Sequence, residues 1–185
     1  MFELGPAAEE MGRLVSGVRD DQLDDRTPCP DWTVRELLAH VHQFTSVFTH
    51  NALKQQAQPP DGLVDDWRVA IPHQLDELAR SWRQETAWQG RVSSGGVEMG
   101  ASDNAVVGIE ELTVHGWDLA RATGQTLRVE DADLDQVDRF FDLFADQLAS
   151  GAGPFGPVAA APSGASRLER TIARTGRDPS WESAR

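Results

Sequence analysis

Apolar residues recur every three or four positions through most of this chain, which predicts helix after helix. From about Pro6 to Val18 the apolar face is Ala7, Met11, Leu14, Val15 and Val18, and Pro6 suits a first helical turn. The next stretch, Asp24–Trp32, contains Pro28 and Pro30, which keep it extended. A second helix begins at Thr33, where Thr33 and Glu36 match a T-x-x-E capping box. Its stripe is Val34, Leu37, Leu38, Val41, Phe44 and Phe48, and Gln56–Gly62 breaks it. A third helix places Trp67, Ile71, Leu75, Leu78 and Trp82 three and four apart, with Pro72 predicting a local weakening or kink. Gly90–Gly100 is rich in Gly and Ser and reads as a loop with room for a short hairpin.

A fourth helix runs from about Asp103 to Ala122, with Gly124 as its stop. A fifth runs from about Ala132 to Ala149, with Leu134, Val137, Phe141, Phe144 and Leu148 spaced as a bundle seam. Gly151–Pro162 is rich in Gly, Pro and Ala and reads as a linker or surface strap, and Ser166–Arg174 fits a last short helix. The expected architecture is all-α: an up-and-down helical bundle over residues 1–150, followed by an irregular tail over 151–185 packed on it.

Length and charge narrow the function. The 185 residues suit one domain, or one domain with a tail. A net charge of -13 disfavours nucleic acid and anionic membranes, which need clustered Lys and Arg. No segment approaches the ~20 apolar residues of a membrane span. Met1–Pro6 lacks the basic start of a signal peptide. The single cysteine, Cys29, allows no intrachain disulfide and fits a reducing cytosol. A cytoplasmic protein is expected, and its acidic surface and bundle seams predict a homodimer.

The candidate chemistry lies in the fourth helix. Glu111 and His115 are one turn apart and point the same way. His115 falls on the stripe of Leu112, Leu119 and Ala122. A carboxylate and an imidazole there are costly unless paired, and a divalent metal would pair them. A third ligand is available at His40, on the stripe of the second helix. The plainer readings are a hydrogen-bonded core histidine and a helix ion pair worth a few tenths of a kcal/mol. Asp118 stacks in the same column and could orient a ligand or contact substrate.

Other polar residues have ordinary explanations. Glu36 is accounted for by its cap, and Glu110, off the stripe, should be solvated. His42 faces another way, while His50 and His73 read as surface or rim. Cys29, between prolines, reads as a structural loop residue, and Arg35 and Arg121 are equally substrate anchors or surface residues. Gly116 in mid-helix costs about 1 kcal/mol against Ala, which a close approach by another backbone or a ligand would explain.

Two stretches carry a resemblance. Thr27-Pro28-Cys29-Pro30-Asp31-Trp32-Thr33-Val34-Arg35-Glu36-Leu37-Leu38-Ala39-His40-Val41 resembles the opening motif of the DinB-like superfamily. The branch is the one containing the metal-binding N-terminal domain of mycothiol-dependent maleylpyruvate isomerase. Glu111 through Gln125 resembles that branch's second motif. Thr175-Gly176-Arg177-Asp178-Pro179-Ser180-Trp181 resembles the ending of a small single-domain metal-binding subgroup.

The resemblance implies a four-helix bundle with a divalent metal, zinc or nickel, at one end. Its ligand set of His, Glu and His falls on His40, Glu111 and His115. A site with three protein ligands keeps an open position, as catalytic zinc does. The function so implied is a metal-dependent transferase or isomerase. It would act on a low-molecular-weight thiol of the mycothiol type and an electrophilic substrate. A non-catalytic metal-binding or sensor module, and a hydrolase using metal-activated water, stand as alternatives.

Overall fold

The computed structural model describes residues 1–94, 96–151 and 153–183. Its elements, in order, are α1 (Gly5–Ser16), α2 (Val34–Ala52), α3 (Trp67–Trp82), a hairpin of β1 (Arg91–Ser94) and β2 (Val97–Gly100), α4 (Ala101–Thr123), α5 (Asp131–Leu143), α6 (Ala145–Ala149) and α7 (Arg167–Arg174). Short 3-10 turns at Asp20–Gln22 and Glu85–Trp88 complete it. The fold is all-α apart from the hairpin, which pairs antiparallel with Arg91 opposite Gly100 and Ser94 opposite Val97.

Four helices close a ring. α1 packs on α3 and α4, and α2 packs on the same two. The stripes meet inside: Met11, Leu14 and Val15 from α1, Leu37, Leu38 and Val41 from α2, Ile71, Leu75 and Leu78 from α3, and Ile109, Leu112 and Leu119 from α4. α5 covers the outer face of α4, and α7 lies on α5.

Local signals set the ends of the helices that matter most. Thr33 Oγ1 accepts from the Glu36 backbone N–H, and Glu36 Oε2 accepts from the Thr33 N–H at 2.7 Å, so the capping box starts α2. Such a cap is worth about 1 kcal/mol. Gly124 ends α4 at φ 70°, where its lack of a Cβ removes the penalty of the left-handed turn.

α3 continues through Pro72, close to its start, where the missing N–H removes one backbone hydrogen bond to the Arg68 carbonyl. Two expectations are revised. The fifth helix leaves helical geometry at Phe144 (φ -111°, ψ 18°), dividing Asp131–Leu143 from Ala145–Ala149. Gly116 is met by side chains rather than by another backbone: a Cβ there would lie 3.2 Å from Leu127 and close to Leu14 and Met11, so it admits close side-chain packing.

The polar tail segment is tied to the bundle by both charge and apolar contact. Arg167 reaches Asp135 and Asp138, and Arg174 reaches Asp138 and stacks over Phe141. Phe155 packs near Phe140 and Phe141.

Candidate metal centre

α2 and α4 run side by side, and this brings together residues 71 positions apart in sequence. His40 Nε2 lies 3.1 Å from Glu111 Oε2, and His115 Nε2 lies 3.2 Å from the same oxygen. One ligand atom from each of the three side chains lies within 4.8 Å of the others. Donors about 2.0–2.2 Å from one tetrahedral zinc would be about 3.3–3.6 Å apart, so the spacing of this donor set suits such an ion. His40 and Glu111 are partly accessible, with side-chain exposures of 26% and 23%, while His115 is nearly covered.

Behind His115 the structure continues inward. His115 Nδ1 is 2.9 Å from Asp118 Oδ2, and Asp118 is fully buried. Arg177 Nε and an Arg177 terminal nitrogen donate to the two Asp118 oxygens at 2.7 and 2.8 Å. The column therefore runs Glu111, His115, Asp118, Arg177. The sequence placed Asp118 beside His115. Arg177 is a site residue it did not identify, although a buried aspartate on an apolar stripe signals the need for a cationic partner.

Trp32 is the second residue missed. Thr27 Oγ1 donates to the Trp32 carbonyl at 2.9 Å, which helps pin the proline-rich loop ahead of α2. The Trp32 ring then lies 4.5 Å from the His40 ring and 5.4 Å from the His115 ring, centroid to centroid.

The charges shape the site's titration. Burial opposes ionisation of Glu111, but hydrogen bonds from His115 and His40 outweigh it and hold the carboxyl well below the usual range. Burial likewise opposes charging of His115, yet Asp118 and Glu111 raise it to about 9. Asp118 is desolvated as well, and His115 and Arg177 keep it ionised.

Glu110 corrects an expectation. It is buried at 4% exposure rather than solvated, on a helix that packs against α1, α2 and α5 and so has little free face. Burial, reinforced by the Glu111 charge, pushes its pKa up to about 8.

Among the residues set aside, Glu36 serves its cap and Arg121 donates to the Trp181 carbonyl. His50 bonds the Ser46 carbonyl, His73 is exposed, and half-buried Cys29 has its thiol pushed up by burial and by the Asp118 charge. Arg35 is exposed and near Asp24.

His40 and Glu111 also line a cavity of about 440 Å³ between α2, α4, α5 and the hairpin. The arrangement thus offers N and O donors, an oriented imidazole and an adjoining space for a small molecule.

Residues 4–120 match the family model described as the mycothiol maleylpyruvate isomerase N-terminal domain. The chain belongs to this family. The match spans α1 through most of α4 and so includes both halves of the His40, Glu111 and His115 cluster. Two uncharacterized proteins of Mycobacterium tuberculosis, from strains H37Rv and CDC 1551, are each 28% identical over 159 residues, covering 82% of this chain and 76% of theirs. The fold is similar to that of the mycothiol-dependent maleylpyruvate isomerase crystal structure (TM-score 0.58, 19% identity, 80% of this chain and 69% of that one). A histidine-to-alanine mutant of that enzyme gives a TM-score of 0.59 at 20% identity over the same shares. In this chain α5, α6 and α7 follow the region that the family model matches.

Proposed function

We propose that this protein is a metal-dependent enzyme that activates a low-molecular-weight thiol of the mycothiol type for transfer to, or isomerisation of, an electrophilic substrate. The observation that carries this reading is the convergence of His40, Glu111 and His115 on the edge of a cavity, within a family named for a mycothiol-dependent isomerase.

The residues divide the work. His40, Glu111 and His115 would hold a zinc or nickel ion, leaving a coordination position for an exogenous group. Bound there, the cation would deprotonate a thiol near neutral pH. Asp118 accepts from His115 Nδ1 and so leaves Nε2 facing the cluster. Arg177 holds Asp118 in place with two bonds, which fixes the imidazole's orientation. Trp32 covers the His40 and His115 rings and limits water on that side. The adjoining cavity would receive the electrophile against His40 and Glu111.

The test is thiol-dependent consumption of an electrophile by zinc-loaded protein, compared with chelator-treated protein and with Glu111→Gln. Turnover that requires both thiol and zinc and is lost in Glu111→Gln supports the proposal. Turnover independent of thiol, or unaffected by chelation, rejects it.

A further inference from the structure

We infer that the walls of the cavity beside this site are built for an uncharged, predominantly apolar molecule and offer a carboxylate no cationic side chain. The inference deepens the proposed function, because it takes this cavity as the electrophile's binding place.

The wall chemistry carries it. Phe44 and Phe48 come from α2, Val107 from α4, and Phe140 and Phe144 stand opposite, with Met99 from the hairpin. A volume of about 440 Å³ lies within the ~300–1,000 Å³ of small-molecule sites. Neutral polar groups are present in Gln43, Ser94 and Gln147. Among the described residues lining it there is no lysine or arginine, and the ionisable ones are His40 and Glu111.

A carboxylate entering such a space would lose water without gaining a cationic side chain, which is unfavourable unless compensated. The arginine of the site does not change this. Arg177 is committed to Asp118, on the far side of His115 from Glu111. Maleylpyruvate, the dicarboxylate in the name of the similar crystal structure, is therefore a poor match for these walls. A neutral enone, ester or aromatic electrophile is a good one.

The experiment uses a closely related pair, methyl cinnamate and cinnamate, which differ in one methyl group and in charge. Dissociation constants are measured by ligand-observed NMR on full-length protein, both zinc-loaded and metal-free. The ester should bind at least about tenfold tighter than the acid to the metal-free form, and zinc, a cation able to take the carboxylate, should narrow that ratio. Val47→Arg puts a cation on the wall at a half-buried position outside the core cluster, so folding should survive, as circular dichroism will check. It should invert the preference. Equal or tighter cinnamate binding by the metal-free wild type overturns the inference, as does failure of both probes to bind. If the protein takes up no zinc, the metal-dependent reading fails, while the ester-to-acid ratio of the metal-free protein still decides the nature of the cavity.

Discussion

Arg177 and Asp118 form a buried, two-bond ion pair across 59 positions of sequence, and the aspartate of that pair holds His115. The end of the chain is thereby joined to the polar centre of the bundle.

The pair should matter to stability and to the site. Arg177→Ala leaves a fully buried carboxylate without its cation, a change that costs about 3–5 kcal/mol. Urea unfolding of the variant measures this. Arg177→Lys keeps the charge but cannot make the two-pronged contact, and should recover only part. In the folded fraction, chelator competition should show zinc affinity weakened about 10- to 100-fold by Arg177→Lys, the usual effect of disturbing a ligand's support. Wild-type affinity in this variant contradicts the positioning role.

Trp32 should act on the centre through its ring. Trp32→Phe keeps an aromatic face against His40 and should retain zinc, whereas Trp32→Ala exposes the imidazoles and should lower affinity with little loss of helix content. Isothermal titration with zinc separates the two. Equal affinities in both variants would show that the ring only fills space.

Much of this arrangement was legible in the sequence, and the limits have physical causes. The Thr33–Glu36 cap and the stripes of α1 to α4 depend on residues three or four apart, so spacing reveals them. His40, Glu111 and His115 were visible as polar residues on, or one turn from a residue on, apolar stripes. Arg177 and Trp32 were hidden because nothing local marks a partner supplied by a distant loop. Glu110 was misread because a helix covered by α5 as well as by the bundle has little solvent face, and the simple two-faced pattern no longer applies. The break at Phe144 had no Gly or Pro to announce it.

Gly116 offers a test of packing. Ala gains helix propensity, while its Cβ presses Leu127 at 3.2 Å, a half-buried side chain able to shift. Gly116→Ala should stay within about 1 kcal/mol of wild type, and Gly116→Val should lose about 1–3 kcal/mol from overpacking. Thermal and urea unfolding report both. A Val variant as stable as wild type contradicts the close contact.

Acid sensitivity should arise in part at Glu10. Burial raises its pKa, but hydrogen bonds from Arg13 and the Arg128 backbone N–H outweigh this and lower it overall. The folded value is below the unfolded one, so the stabilisation is fully present above the unfolded carboxyl pKa. It is lost as pH falls through the folded value. Glu10→Gln should therefore be less stable than wild type near pH 7, with the gap closing in acid. A gap that is independent of pH removes Glu10 from the account.

The central claim is that three side chains on two helices hold one cation, and zinc content measures it most directly. Purified wild type, His40→Ala and His115→Ala are loaded with zinc, freed of excess, checked for helix content and analysed for metal by mass spectrometry. The account predicts about one zinc per wild-type chain and little in either folded variant. Equal zinc in all three proteins, or none in the wild type, contradicts it.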